Sequence, residues 1–155
     1  MPQPDAAPGL AALYQSLILD HYRKPHNHGE LEDADVSVTV KNPLCGDEIV
    51  LQLAFDEVGT VRAASFRGQG CSISLASASM MTELIAGKGR DDIDRTAQCF
   101  ARMMEGGADA AGDPSLGDLR ALSGVAKVPA RIPCALLPWK ALAKALAQAM
   151  TEPQS

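Results

Sequence analysis

The tightest constraint on this chain is a pair of alternating apolar runs joined by a short segment that contains Pro and Gly. Val36, Val38 and Val40 alternate with Ser37 and Thr39, and beyond Asn42-Pro43-Leu44-Cys45-Gly46-Asp47 the residues Ile49, Leu51, Leu53 and Phe55 alternate with Val50, Gln52 and Ala54. Successive side chains of a strand point to opposite faces, so a period of two predicts two strands, each burying one face. The turn DEVGT then leads into VRAASFRG, a third strand. Connections this short favour antiparallel neighbours, which predicts a three-stranded antiparallel sheet.

Helical spacing surrounds these strands. Leu10, Leu13, Tyr14, Leu17 and Ile18 recur at intervals of three and four, which predicts an amphipathic helix that Pro25 ends. After GQGC, the small-residue run SISLASASMMTELIAG predicts a closely packed helix stopping at Gly87. Ile93, Ala97, Phe100, Met103 and Met104 form another helical stripe, GGADAAGDP reads as a loop, and Leu116, Leu119 and Leu122 mark a short helical segment. A last helix is expected from about Pro138 to Met150, because proline is tolerated in a first turn where its missing N–H has no partner to lose. Cys134 then lies just before that helix or at its start. The fold class is α+β, with helices packed against the sheet.

With 155 residues and 46% apolar side chains, the chain has material for one core. Residues 1–8 hold three prolines and read as a flexible arm, 9–150 as a single domain, and 151–155 as a flexible tail. A net charge of −5 with scattered basic residues excludes a nucleic-acid surface, which needs clustered Lys and Arg. No apolar run is long enough to cross a bilayer, and the first ten residues have neither a basic nor an apolar signal region. A cytoplasmic location without membrane contact is the expectation.

Four cysteines in such a chain are more consistent with metal ligands or reactive thiols than with a disulfide framework. The loop between the first two strands projects Cys45 and Asp47 to one side, a thiolate and a carboxylate donor. Cys71 follows Gly68-Gln69-Gly70 and precedes a helix, where backbone N–H groups and the helix dipole favour the thiolate. Cys134 repeats that arrangement. Three thiolates and one carboxylate match the number and type of ligands that tetrahedral zinc takes, and iron or an iron–sulfur cluster also accepts them. Spacing alone announces no site, since no C-x-x-C pair is present.

Four stretches in order, LYQSLILDHYRKPHNHGEL, NPLCGDEI, GQGCSISLASASMMTELIAGK and ARIPCALLPWKAL, resemble the SufU family of the IscU/NifU-like iron–sulfur assembly proteins. The likeness runs from about Leu13 to Leu146. It implies a three-stranded antiparallel sheet with helices packed on it and a metal site at one end, in which Cys45, Asp47, Cys71 and Cys134 are zinc ligands and Cys45 accepts sulfur. It implies an accessory, sulfurtransferase-like protein that stimulates a PLP-dependent cysteine desulfurase of the SufS type, rather than a stand-alone enzyme. A desulfurase histidine takes the zinc, the released cysteine collects persulfide sulfur, and the sulfur passes to a downstream cluster scaffold. Arg131 resembles a family arginine that could hold Asp47 from behind. The rival is a scaffold that assembles a cluster, at least transiently, on the same ligands. IscU scaffolds carry a histidine before the third cysteine and an LPPVK motif upstream, where this chain has Pro133 and VAKVPAR. Pro138 departs from the usual SufU sequence. A structural zinc module without a reactive thiol is a third reading.

Other conspicuous residues have plainer readings. Cys99 sits on a helical stripe with no polar ligand expected nearby and reads as structural. His26 and His28 form an H-x-H pair in a hydrophilic loop where solvated histidines are common, and His21 reads as a helix-surface residue. Met80, Met81, Met103 and Met104 read as core filling, and Trp139 as a core or partly exposed aromatic.

Overall fold

The computed structural model describes residues 6–43 and 46–151. Strands β1 (Val36–Asn42), β2 (Asp47–Phe55) and β3 (Val61–Gln69) form one antiparallel sheet in the order β1-β2-β3, as the alternation predicts. Val36, Val38 and Val40 stand opposite Leu53, Leu51 and Ile49, and Leu51 stands opposite Phe66. These side chains share one face, and that face is the core. The alternation specifies the register, because a slip of one residue would turn the whole apolar set toward water. The loop after the first helix covers the outer edge of β3: Gly29 N–H donates to the Phe66 carbonyl and Phe66 N–H to that of Asn27. An exposed strand edge is a template for aggregation, and this loop closes it.

Among the described residues there are five α-helices: α1 (Ala6–Arg23), α2 (Ser72–Ile85), α3 (Arg90–Met104), the single turn α4 (Ala108–Ala111) and α5 (Ile132–Thr151). Two 3₁₀ segments, Pro114–Lys127 and Pro129–Arg131, lead into α5. Helix α5 lies on β1 and β2, α2 on β3 and α5, and α1 on α2. The four core methionines fill space on α2 and α3, and Trp139 is buried against Phe100. No helix among the described residues is long and apolar enough to cross a membrane.

Helix α2 buries four hydroxyls, and each has a partner. Ser74 donates to the Cys71 carbonyl, Ser77 to that of Ala135, and Thr82 to that of Ser79, while Ser79 meets His21 and the His26 backbone. Small side chains let neighbouring elements approach, and the hydroxyls then tie them together at about 1 kcal/mol net each.

Three expectations need correction. Helix α5 begins at Ile132, so Pro138 lies inside it rather than in its first turn. Proline has no N–H for the Cys134 carbonyl, and an interior proline costs about 3 kcal/mol or more. Cys134, Ala135, Leu137, Ala141, Leu142, Ala145 and Leu146 are nevertheless all buried along this one helix. Full burial of each leucine alone contributes about 1.5–3 kcal/mol, so the continued stripe outweighs the break. Second, GGADAAGDP contains α4, which buries Ala110. Third, His21 is not on a surface: it is 2% exposed, whereas Leu10 and Leu13 of the predicted apolar face are exposed and only Tyr14, Leu17 and Ile18 of that set pack on the core. Partners on α2 and the 3₁₀ segment satisfy both ring nitrogens of His21, which removes the penalty for burying it. The leucines at 116, 119 and 122 are fully buried; Leu116 precedes a kink at Gly117, and beyond it three residues per turn place Leu119 and Leu122 on one face.

Candidate metal centre

The site lies at the end of the sheet where β2 begins and β3 ends. Asp47 is the first residue of β2, opposite Asn42, and is held there by a turn in which Gly46 N–H donates to the Asn42 carbonyl at 2.8 Å. Gly46 has φ +73°, a left-handed conformation that glycine adopts without strain. Asp47 is 1% exposed. An ionised carboxylate at that depth is stable only with hydrogen bonds, counter-charge or a metal around it. One of its hydrogen bonds comes from the Cys71 N–H to Oδ1, at 3.1 Å.

Glycines make that approach possible. A Cβ on Gly68 would stand 2.1 Å from the Glu48 carbonyl oxygen, and one on Gly70 would stand 2.5 Å from Asp47 Oδ1 and 2.7 Å from Ser74 Oγ. Both distances are far inside van der Waals contact, so the G-x-G before Cys71 is a steric requirement of bringing β3 and the start of α2 over Asp47. Cys71 is the N-cap of α2, half-buried, with Sγ 3.8 Å from Asp47 Oδ2 and 3.9 Å from Ser74 Oγ. Cys134 is buried in the first turn of α5. The donor atoms of Asp47, Cys71 and Cys134 all lie within 4.8 Å of one another.

Tetrahedral zinc with Zn–S of about 2.3 Å and Zn–O of about 2.0–2.2 Å needs donors roughly 3.6–3.8 Å apart. The Cys71 to Asp47 distance meets that requirement as it stands. The three residues brought together are therefore a fitting partial donor set, to which tetrahedral zinc would add a fourth ligand. Cys45 lies outside the described residues; it precedes Asp47 by two positions in the same hairpin connection. Arg131 ends the second 3₁₀ segment and is exposed.

Residues 13–152 match the NifU-like N-terminal domain. The chain belongs to that family. It is 48% identical over 139 residues to the zinc-dependent sulfurtransferase SufU of Bacillus subtilis, covering 90% of this chain and 92% of the relative. It is 41% identical over 137 residues to the iron–sulfur cluster assembly scaffold protein IscU of Streptococcus pyogenes, covering 88% and 84%. The crystal structure of SufU from Fervidobacterium islandicum AW-1 superposes with a TM-score of 0.78 at 34% identity, covering 87% of this chain and 97% of that one. The NifU-like fold, with its three-stranded sheet, is thus established along with the family.

Sequence reasoning missed two features of this molecule. Ser74 closes the floor of the centre beside Cys71, and a serine in a small-residue helix gives no sign of that. A second group of donors, His21, His26 and Glu83, also comes within 4.8 Å. His28, the other half of the H-x-H pair, packs instead edge-on against Phe66. A concavity of about 1020 Å³ between Phe55, Val58, Arg62 and Ile93 opens by the β2–β3 turn, at the far end of the nine-residue β2 from Asp47.

Proposed function

We propose that this chain is a zinc-dependent sulfur acceptor of iron–sulfur cluster assembly, with Cys45, Asp47, Cys71 and Cys134 holding one zinc and Cys45 taking the sulfur. The observation that carries the reading is the convergence of Asp47, Cys71 and Cys134 from three separate elements into one donor cluster. The name of one relative, a zinc-dependent sulfurtransferase, supports zinc and sulfur transfer as the chemistry.

Zinc in this centre would keep its thiolates deprotonated and shield them from oxidation. The chain's own residues do the rest. Asp47 takes the Cys71 N–H, which locks the start of α2 against β2 and fixes the direction of the Cys71 thiol. Cys134 is buried and Cys71 half-buried, so neither is well placed to meet a group on another protein. Cys45, in the hairpin connection, is the remaining thiol. Its thiolate attacks the outer sulfur of a cysteine persulfide carried by a PLP-dependent, SufS-type desulfurase. The new S–S bond joins Cys45 to that sulfur, the old S–S bond breaks, and the desulfurase cysteine leaves as its thiolate, so no external oxidant or reductant is consumed. A second exchange of the same kind delivers the sulfur to a downstream scaffold. Arg131 would serve in this reading as a positioning residue for Asp47 once the centre is filled.

Metal analysis of the purified chain, paired with desulfurase turnover measured with and without it, tests the proposal. One zinc per chain and a rise in turnover are expected, and Cys45→Ala should abolish the rise; retained stimulation would remove Cys45 from this role. The scaffold named among the relatives makes cluster assembly the alternative. Anaerobic reconstitution followed by visible absorption separates the two, because a stable cluster that transfers to an apo-target would replace the carrier reading.

A further inference from the structure

The His21, His26 and Glu83 group lies on a different face of α2 from the thiolate centre, and its internal hydrogen bonding is that of a metal-ligand set with its backing already built. His21 Nε2–H donates to Asp118 Oδ2 at 2.9 Å. Its other nitrogen, Nδ1, meets Ser79 Oγ at 2.7 Å. Ser79 Oγ accepts the His26 backbone N–H at 2.7 Å, which leaves the serine proton for His21 Nδ1. His21 Nδ1 therefore carries a lone pair, taken up here by the Ser79 hydroxyl, while a carboxylate holds the opposite side of the ring, the arrangement that orients and strengthens imidazole ligands. His26 Nδ1–H donates to Glu83 Oε2 at 2.9 Å, and the two imidazole centroids are 4.5 Å apart. One nitrogen from each ring and a Glu83 oxygen all fall within 4.8 Å.

From this geometry we propose that His21, His26 and Glu83 form a second metal site, selective for a divalent first-row transition cation. Two imidazoles and one carboxylate suit such ions, whereas calcium and magnesium prefer all-oxygen shells. Ligand distances of about 2.0–2.2 Å need donors roughly 3.4 Å apart, so the His26–Glu83 pair, hydrogen-bonded at 2.9 Å, would open slightly and give up its shared proton to solvent as the ion enters. His26 and Glu83 are able to adjust, since their side chains are 45% and 50% exposed, and His21, 3% exposed, is the fixed anchor. Exposure of two ligands leaves coordination positions to solvent. Loading the site would turn the Ser79 hydroxyl away from Nδ1 and cross-link α1, the following loop and α2. The donor set contains no sulfur, so the two centres of this chain would differ in the metals they prefer.

Cobalt(II) is the test, added to full-length, tag-free protein that has first received one equivalent of zinc. Zinc outcompetes cobalt at a thiolate site. One saturable equivalent of cobalt is expected, with weak ligand-field absorption and no thiolate-to-cobalt charge-transfer band. His26→Ala and Glu83→Gln, both changes of exposed side chains, should remove it, and Cys71→Ser should not. Asp118→Asn keeps all three ligands and should weaken binding about 10- to 100-fold. Absence of a saturable equivalent, a thiolate charge-transfer band, or cobalt uptake unchanged in His26→Ala and Glu83→Gln would each overturn the proposal. None of these outcomes bears on Cys45 or on desulfurase stimulation.

Discussion

Two cysteines of this chain each have an aspartate for a neighbour, and the pairs have opposite characters. Cys71 caps α2, its own N–H is bound by the buried Asp47, and Cys134 brings a second sulfur into the same space. Cys99 lies within α3, 3% exposed, with Sγ 3.5 Å from Asp113 Oδ2. Burial pushes the Cys99 thiol up from its ordinary range, and the hydrogen bond and negative charge of Asp113 push it further. Asp113 itself is held low, chiefly by the Ser115 N–H that it caps at the start of the 3₁₀ segment. The contrast teaches that a carboxylate beside a thiol does not by itself make a metal or reactive site. A helix N-terminus and a second sulfur complete a donor set that fits one; a carboxylate committed elsewhere, beside a lone buried thiol, favours the protonated thiol. The carboxylate that sequence reading did not place next to Cys99 reinforces its structural role.

The largest effect that could break this contrast is in metal content. Cys71→Ser, Cys134→Ser and Asp47→Ala should each lower bound zinc and melting temperature, because metal binding is coupled to folding, while Cys99→Ala should keep full zinc and lose about 1 kcal/mol. Equal zinc in Asp47→Ala and Cys99→Ala would erase the distinction. Gly70→Ala comes next: its methyl would collide with Asp47 Oδ1 and Ser74 Oγ, with an expected loss of about 1–3 kcal/mol in denaturant titration and weakened zinc retention.

A smaller effect concerns pH. The raised folded-state pKa of Cys99 means that the folded chain still holds this proton where the unfolded chain has released it. Stability from this group is therefore full below the ordinary thiol pKa of 9.0 and is lost as pH rises through the folded value. Melting curves above pH 9 should fall more steeply for the wild-type chain than for Cys99→Ala, and parallel curves would contradict the shift. Asp113→Asn should change least, since Asn caps a helix about as well as Asp. It should still quicken alkylation of Cys99 in alkaline solution, and an unchanged rate would remove Asp113 from the account.

Much of this protein was legible along the chain. Strand pairing followed from alternation because a period of two leaves one way to bury an apolar face, and Pro25 and Gly87 marked helix ends because their effects are covalent and local. The reading of the site was different in kind. Cys71, Asp47 and Cys134 could be nominated by residue type and by resemblance, but nothing local to them states that their donor atoms meet.

What the sequence determined by itself is the three strands with their pairing and the helix ends set by Pro25 and Gly87, since backbone sterics and side-chain periodicity act over a few residues. The tertiary structure alone decided which polar groups become neighbours: Asp47 under Gly70, His21 between Ser79 and Asp118, Asp113 against Cys99, and Pro138 retained inside a helix. Those outcomes depend on the balance between burying distant apolar surface and satisfying each polar atom that is buried with it. That balance is struck only when the elements pack together.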